Sequence, residues 1–341
     1  MGLDSFLQPT SVPDLKRLDF NIVYDQGASD LKERAGELLS KIHADFYCPY
    51  FPIESEREAV EDWQERLFAG KNGQKVFQYF TAYGRGLEGD APQVVGFTVS
   101  EYYAGTQTGL VNYTIRDSAY KGRFSGREMC SHHVELMKED CLRVDDVPLM
   151  GVLSESNDPE RMLRSAAAKS ALLSDAQKSG PFSELKDLYK KIEGRDYWDG
   201  LDCMDPSLRL RIAERNYGVR QIGIDYAQAP LTPSKTQEER LQKTSDDLFM
   251  FQFDADHFSD YKAAHFKKFL VAFSRQFAAV ENPRNLNVPS INRMMDQVDY
   301  LCEHNLPLLL NQQSVETRAA LARLSGVASS SIHRPETLQP C

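Results

Sequence analysis

The chain has 341 residues and a mass of 38.7 kDa, long enough for one large domain or two ordinary ones with a sizeable core. Hydrophobic residues make up 41% of the sequence and charged residues 26%, which excludes wholesale disorder and a fibrous repeat. The formal net charge of -10 argues against nucleic acid as the main ligand, because proteins that bind nucleic acids neutralise phosphates with a basic surface.

Membrane insertion and metal binding have no support in the sequence. No apolar run approaches the roughly 20 residues of a membrane span. Residues 1–14 have no basic region followed by an apolar one, so we expect a cytoplasmic protein without membrane contact. The cysteines lack a CxxC pair and histidines at metal-ligand spacing. We therefore predict reduced, mostly buried thiols, no disulfide framework and no structural zinc for Cys48, Cys130, Cys141, Cys203, Cys302 and Cys341.

The first elements follow a polar lead-in over residues 1–17. The apolar run 20–24 (FNIVY) predicts a strand, and apolar residues at helical spacing over 31–42 predict a helix behind it. A capping-box pattern, Ser55 with Glu58 three residues on, predicts a second helix that ends near Gly70.

The next part of the sequence changes to a strand pattern. Residues 76–83, 94–103 and 110–116 are rich in β-branched and aromatic residues, with turn residues between them, and predict a three-strand antiparallel meander. A helix over 126–142 and a buried strand over 147–153 follow. The element order is then β-α-α-β-β-β-α-β.

The rest of the chain divides into four parts. Residues 154–215 are predicted to form an insert of helical turns that are interrupted by prolines and glycines. Residues 219–227 and 248–253 are predicted to form two strands that could pair across a polar loop. Residues 254–325 form a helical extension with a stripe of phenylalanines, which predicts a core face or, alternatively, a homodimer surface. Residues 326–341 read as a flexible tail.

The segment most informative about chemistry is 110–129, LVNYTIRDSAYKGRFSGREM, where a strand leads through a basic, glycine-containing loop into a helix. Main-chain N–H groups at a helix N-terminus favour a phosphate or diphosphate. Gly122 and Gly126 would let the main chain approach that group, and Lys121, Arg123 and Arg127 add positive charge. The alternative is an ordinary basic turn that caps a helix.

This segment resembles the GNAT superfamily of acyl-CoA-dependent N-acyltransferases, whose cofactor motif reads roughly V-x-P-E-Y-R-G-x-G-x-G/A. Residues 115–126 align with it without a gap, and residues 215–231 (RNYGVRQIGIDYAQAPL) are similar to the ending of one bacterial branch. The resemblance covers about residues 18–231. It implies an α/β (α+β) fold over residues 18–253, with a mixed central sheet flanked by helices and the C-terminal helical extension behind it.

The same resemblance implies direct acyl transfer, with acetyl-CoA as the expected co-substrate, to an amine of a small molecule or peptide. Main-chain N–H groups around Ile115 and Arg116 would hold the thioester carbonyl and the pantetheine. The diphosphate would lie on the loop and helix start, formed by Lys121, Gly122, Arg123, Phe124, Ser125, Gly126 and Arg127. Phe124 stands where the motif has its middle glycine. Glu214 stands where the family often has a tyrosine that protonates the departing thiolate.

The candidate base is a carboxylate that ends a neighbouring strand, either Glu101 or Glu155, and each could instead be a solvated strand-end residue. Tyr113 is the candidate acid, with Tyr103 and Tyr226 as alternatives.

The remaining motifs favour structural interpretations. Adjacent helix positions point about 100° apart, so His132 and His133 cannot both bind one metal ion. Residues 84–86 and 70–73 read as hairpin turns. Two alternatives to the enzyme stay open: a catalytically inactive binding module of the same fold, and an interaction protein that uses the C-terminal helices.

Overall fold

The computed structural model describes residues 2–50, 58–68, 75–194, 206–231, 234–245 and 248–325. Outside these ranges lie several features that the sequence singles out: Ser55 of the capping box, the helix end at Gly70, the turn at 70–73, Cys203, the tail 326–341 and its Cys341.

One mixed sheet of eight strands organises the described residues, in the order β1-β2-β3-β4-β5-β6-β8-β7. All neighbours are antiparallel except β5 and β6, which are parallel. The expected fold class, a mixed sheet flanked by helices, is confirmed. The strands are β1 Leu7–Pro9, β2 Lys16–Asp19, β3 Val76–Arg85, β4 Gln93–Tyr103, β5 Thr108–Arg116, β6 Gly151–Asn157, β7 Arg220–Gln221 and β8 Leu248–Gln252.

Helices cover both faces of this sheet. The first five are α1 Phe20–Gln26, α2 Ser29–Ile42, α3 Cys48–Tyr50, α4 Val60–Phe68 and α5 Gly126–Asp145, with a π-helical turn at His43–Tyr47. The insert and the segment after it hold α6 Pro159–Lys169, α7 Asp175–Lys178, α8 Phe182–Glu193, α9 Pro206–Tyr217 and α10 Gln237–Lys243. The C-terminal helices are α11 Ala263–Ala278, α12 Pro289–Glu303 and α13 Val315–Leu324. None of the described helices has both the length and the apolar character of a membrane span.

The prediction of a strand over residues 20–24 is wrong, because this run forms α1. Phe20, Val23 and Tyr24 recur at helical spacing and are buried together. The strand of this region is β2, which lies in the expected lead-in and pairs with β3. The side-chain oxygen of Asn21 accepts a hydrogen bond from the main-chain N–H of Phe80, at 3.0 Å, and ties the helix to the sheet.

The meander is confirmed as β3, β4 and β5. The turn predicted over residues 84–86 begins only at Gly86, which has φ +56°, because Gly84 and Arg85 still belong to β3 and pair with β4. The strand expected over 147–153 begins later, at Gly151, and runs to Asn157. The predicted strand over 219–227 is short, since only β7 forms, but it does pair with β8.

The two faces of the sheet carry different layers. On the first face, α5 packs against alternate residues of the meander, including Tyr79, Tyr102 and Val111. On the second face, α1, α2 and α4 cover Phe80, Phe97 and their neighbours. The C-terminal helices cover the second face beside them, where Tyr103 and Leu153 meet the phenylalanine stripe. That stripe is therefore a core face within one chain, as the first interpretation predicts.

Candidate functional site

An irregularity in β5 prepares the site. Val99 pairs with Tyr113, but the next residue, Ser100, pairs with Val111, so Asn112 is an extra residue in the strand. Such a bulge shifts the alternation of side chains by one position. Tyr113 and Ile115 consequently lie on the second face of the sheet, with the residues under α4.

The parallel pair of β5 and β6 is short. Its register joins Thr108–Val111 to Gly151–Ser154, and beyond this point β6 pairs with β8 alone among the described residues. The side of β5 that faces β6 therefore has no strand partner over residues 112–116 among the described residues, and we call it the open edge. At its far end the hydroxyl of Tyr50 donates to the carbonyl of Arg116 at 3.4 Å. An unpaired strand edge offers main-chain donors and acceptors to a ligand.

The direction of these main-chain groups follows from one hydrogen bond. The N–H of Asp117 donates to the carbonyl of Val95 at 2.9 Å. Because alternate residues of an antiparallel strand face the same neighbour, the N–H of Ile115 also points to β4, while those of Thr114 and Arg116 point to the open edge. A ligand at this edge would meet Thr114 and Arg116 rather than Ile115, whose side chain is buried in the core.

The glycine loop, residues 117–126, leads from the open edge to α5. Gly122 has φ +81°, a left-handed conformation that glycine adopts without strain. Ser125 caps the 20-residue helix by accepting the N–H of Arg127 at 3.1 Å. Within the described residues, the N–H groups of Gly122, Ser125 and Gly126 have no acceptor. The loop thus presents free donors at the positive end of a long helix.

Phe124 does not fill the space in front of these donors. Its ring is buried against Tyr83, with centroids 5.0 Å apart, and lies beside Gly96 on the first face of the sheet. The guanidinium of Arg116 donates to the carbonyl of Phe124 at 2.7 Å and closes the loop onto the strand. The aromatic ring therefore anchors the loop, while the basic side chains of Lys121, Arg123 and Arg127 are exposed around it.

A tyrosine that the sequence interpretation missed lies beside the start of α5. The hydroxyl of Tyr217 is 2.5 Å from the position that a Cβ on Gly126 would take, and Thr114 lies on the same side. Burial raises the pKa of Tyr217 to about 12, so the hydroxyl keeps its proton at neutral pH. The family pattern directed attention to Glu214. The available signal was Gly218, whose φ of +61° ends α9 and sets the direction of the tyrosine before it.

Glu101 lies inside β4 and not after it, and it is wholly buried. Its carboxylate accepts hydrogen bonds from the amide of Gln78 and the hydroxyl of Tyr103. Burial raises the pKa of Glu101, and the nearby charge of Glu58 raises it further. This carboxylate is neither solvated nor open to a substrate.

Glu155 also lies within its strand, β6, but it is only half-buried. Its carboxylate accepts hydrogen bonds from the hydroxyl of Tyr226 and the amide of Gln228. Burial raises the pKa of Glu155 to about 7, and the neighbouring Glu101 contributes to the increase. Glu155 is thus partly accessible and titrates near neutral pH.

Tyr113 lies close to these carboxylates. Burial, the charge of Glu58 and the neighbouring Tyr47 raise the pKa of Tyr113 well above its usual value, so that it is also a neutral hydroxyl. The ring of Tyr47 is wholly buried and stands edge-on to it, with centroids 5.1 Å apart. The alternative acids Tyr103 and Tyr226 donate instead to Glu101 and Glu155.

A third carboxylate, which the sequence interpretation treated only as part of a helix cap, completes this group. Glu58 is buried and pairs with Arg66 of α4, whose guanidinium stands 5.6 Å from the ring centre of Phe277 in α11. We call Glu58, Glu101 and Glu155 the carboxylate cluster. It lies on the second face of the sheet, where the N-terminal and C-terminal helices meet.

The paired histidines anchor α5. His133 is wholly buried, and its ring nitrogens lie 2.5 Å from the hydroxyl of Ser100 and 2.9 Å from that of Thr81. Burial lowers the pKa of His133 to about 3, so the ring is neutral. His132 pairs with Asp19 at 2.8 Å. Among the described residues, no group of three His, Cys, Asp or Glu side chains could hold a metal ion.

Three solved structures show the range of similarity to known proteins. A GNAT-family acetyltransferase of Bacteroides thetaiotaomicron, described as putative, is 11% identical, with 69% of this chain and 91% of that chain covered and a TM-score of 0.34. An aminoglycoside acetyltransferase from an uncultured soil metagenomic sample is 16% identical, with 51% and 93% covered and a TM-score of 0.25. A malonyl-CoA decarboxylase of Rhodopseudomonas palustris is 13% identical, with 80% and 61% covered and a TM-score of 0.33.

No protein-family model matches this chain, and no curated protein matches it. Similarity to solved structures at this level is no evidence of a shared activity.

Proposed function

We propose that this chain is an acyl-CoA-dependent N-acyltransferase that transfers an acyl group, with acetyl as the expected one, directly to an amine. The observation that carries the proposal is the open edge of β5, which leads into free main-chain donors at the start of α5 and lies beside a half-buried carboxylate with a pKa near 7. Direct acyl transfer needs a binding site for an extended thioester carrier next to a basic group that can deprotonate the amine.

The main chain would hold the co-substrate. The N–H groups of Thr114 and Arg116 suit the pantetheine and the thioester carbonyl, and those of Gly122, Ser125 and Gly126 suit the diphosphate. The exposed cations of the loop add attraction at long range. The carrier supplies an acyl group on a thiol of ordinary pKa about 8.5.

Two kinds of proton transfer are left to this chain. Glu155 takes the proton of the amine, whose free pKa is about 10, because a carboxylate with a pKa near 7 is about half ionised at neutral pH and its ionised form accepts a proton. The departing thiolate needs a neutral hydroxyl. Tyr113 and Tyr217 are the candidates that flank the open edge, and Tyr217 is the closer of the two to the start of α5.

The acceptor class follows from charge. Within the carboxylate cluster Glu58 is paired with Arg66 and Glu101 is wholly buried, so Glu155 is the partly accessible acid, and the whole chain carries a formal charge of -10. Both favour a cationic amine, on a small molecule or a peptide, over a neutral or acidic one.

The test mixes the purified chain with acetyl-CoA and a panel of monoamines, polyamines, aminoglycosides and peptides while free thiol is followed. We expect thiol release that depends on an amine and a product of matching acetylated mass. Binding of CoA in a calorimeter without thiol release for any amine would support the binding module instead. No binding of CoA at millimolar concentration would exclude both.

A further inference from the structure

Residues 222–228, which we call the strap, join β7 to the segment that contains α10 and pass beside Glu155. Both ends of the strap are fixed by isolated bridges, Ile222 with Leu309 and Gln228 with Ser245. Tyr226 and Gln228 are the strap residues that donate to Glu155. The strap therefore supplies both side-chain hydrogen bonds to the proposed base.

Other residues of the strap are bound by the C-terminal helical region. The N–H of Asp225 donates to the side-chain oxygen of Gln297 in α12 at 2.7 Å. The N–H of Ala227 lies 3.4 Å from the sulfur of Met294, one turn earlier in the same helix. Gly223 is held through its carbonyl by the amide of Gln313, at 3.1 Å. Alternate residues of the strap thus contact the helices and the base.

Gln297 is the most connected of these contacts. It is 2% exposed, and its amide nitrogen donates to the carbonyl of Leu321 at 2.9 Å and to the hydroxyl of Ser325 at 2.6 Å. A buried amide whose hydrogen bonds are all made holds together the elements that it joins. Moving one of these elements away would break a hydrogen bond and leave a buried polar group without a partner, which costs free energy. Gln297 therefore fixes the strap to α12 and to the end of α13.

We infer that Gln297 is a positioning residue for Glu155: by holding the N–H of Asp225 it aims the hydroxyl of Tyr226 and the amide of Gln228 at the carboxylate. This inference rests on the proposed role of Glu155 as the base. It makes the C-terminal helices part of the site, although the described side-chain hydrogen bonds to the carboxylate come from the strap.

The groups that face Glu155 determine what loss of this contact does. They are Glu101 and Tyr103 from β4, Tyr113 from β5, and Tyr226 and Gln228 from the strap, with Arg161 of α6 bound to Asp225 behind them. The two strap donors stabilise the ionised carboxylate, while Glu101 and burial oppose it. When the donors move away, the pKa of Glu155 rises further.

Three variants separate positioning from packing. Gln297→Leu removes the acceptor of Asp225. Met294→Leu removes only the weaker contact to Ala227 and keeps a side chain of similar volume. It therefore still tests the inference if Gln297→Leu does not fold. Val298→Ala is the control, because Val298 is a buried residue of the same helix that belongs to the apolar core.

The first readout is the pH profile of turnover. Glu155 must be ionised to accept a proton, so the acid limb follows its pKa. In Gln297→Leu we expect this limb to move up by about one pH unit, which lowers the rate about tenfold at pH 6 and little above pH 9. Met294→Leu should give a smaller shift in the same direction, and Val298→Ala none.

The second readout needs no enzymatic activity. In each background, the free energy of unfolding is compared between the Glu155 protein and its Glu155→Gln counterpart as a function of pH. Because the pKa of Glu155 is raised in the folded state, the stabilisation that Glu155 contributes is fully present below the ordinary pKa of 4.5. This stabilisation decreases as the pH rises and reaches a constant level, the plateau, above about pH 7. In Gln297→Leu the plateau should be reached about one pH unit higher.

The outcomes are distinct. A plateau that is reached at higher pH in Gln297→Leu but not in Val298→Ala supports the inference, even if no amine is ever acylated, in which case only the proposed function fails. A plateau that stays in place in Gln297→Leu overturns the inference and reduces Gln297 to a packing residue. Where Gln297→Leu does not fold, the smaller shift expected in Met294→Leu decides in the same way.

Discussion

The glycine loop and the carboxylate cluster adjoin the same central strands, but they are built from different groups. The loop offers main-chain N–H donors from one short segment, residues 122–126, and exposes Lys121, Arg123 and Arg127 to solvent. The cluster is made of side chains from residues as far apart as Glu58 and Glu155, and burial raises the pKa values of Glu101 and Glu155. A backbone site depends on local conformation, whereas a buried ionic site depends on the tertiary fold.

Under the proposed function, this difference gives the two regions separate tasks. An exposed edge can bind a large, flexible, charged carrier without desolvating any side chain completely. The partly enclosed cluster can alter the pKa of a group that exchanges a proton with a small substrate. Changes in the cluster should therefore affect chemistry and its pH dependence, while changes in the loop should affect affinity for the carrier.

The largest effect is expected for Glu155→Gln, which keeps the size of the side chain and removes its basicity. Turnover at pH 7 should fall about 100-fold or more, since general base catalysis contributes on the order of 10² to 10⁴. The wild-type rate should rise with pH through about 7, because the carboxylate must be ionised, and this limb should vanish in the variant. Steady-state rates between pH 5 and pH 10 provide the measurement.

The matched control is Glu135→Gln, since Glu135 is an exposed carboxylate of α5 that pairs with Lys138 on the surface. Its rate and profile should equal those of the wild type. An unaltered rate and acid limb in Glu155→Gln would remove Glu155 from the mechanism and would leave the carboxylate cluster as a structural feature.

The contrast between the regions also explains what the sequence could reveal. The strand, the glycine-containing turn and the capped helix around the glycine loop are predictable because each has a local signal in one short segment. The meander was recognised for the same reason. The burial of Glu101 and Glu155 was not, because the sequence does not show which helices cover the second face.

Two further features had no local signal. No glycine or proline marks the bulge at Asn112, yet it places Tyr113 on the face of the carboxylates. The run 20–24 is too short to distinguish a strand from a helix by apolar content, and its true state depends on packing under α2 and on the contact of Asn21 with β3. In both cases tertiary contacts decide the outcome.

The next effect concerns α5, which carries the donors and is anchored under the loop by a buried neutral histidine. Since the pKa of His133 is lowered to about 3, its contribution to stability is present above the ordinary value of 6.5 and is lost as the pH falls from there. Between pH 6.5 and pH 4 this group alone should cost the folded state about 3 kcal/mol, at about 1.4 kcal/mol per unit.

Chemical denaturation across this range measures the slope. His133→Gln should lower stability at pH 7 and flatten its fall toward pH 4, whereas His304→Gln, at an exposed histidine that ends α12, should keep the wild-type slope. Equal slopes in the wild type and His133→Gln would mean that the buried ring does not resist protonation, and that α5 is anchored in some other way.

The smallest effect is expected at the start of α5, where Gly126→Ala would place a Cβ 2.5 Å from the hydroxyl of Tyr217. The displaced tyrosine or helix start should weaken CoA binding about tenfold, or about 1.4 kcal/mol, in a calorimetric titration. Tyr217→Phe in the same chain should restore part of the affinity, since it removes the atom in collision. Gly180→Ala is the control, because its Cβ would make only ordinary contacts of 3.4 Å or more. Wild-type affinity in Gly126→Ala would show that the carrier is not bound at this helix start, and would leave the open edge without its proposed ligand.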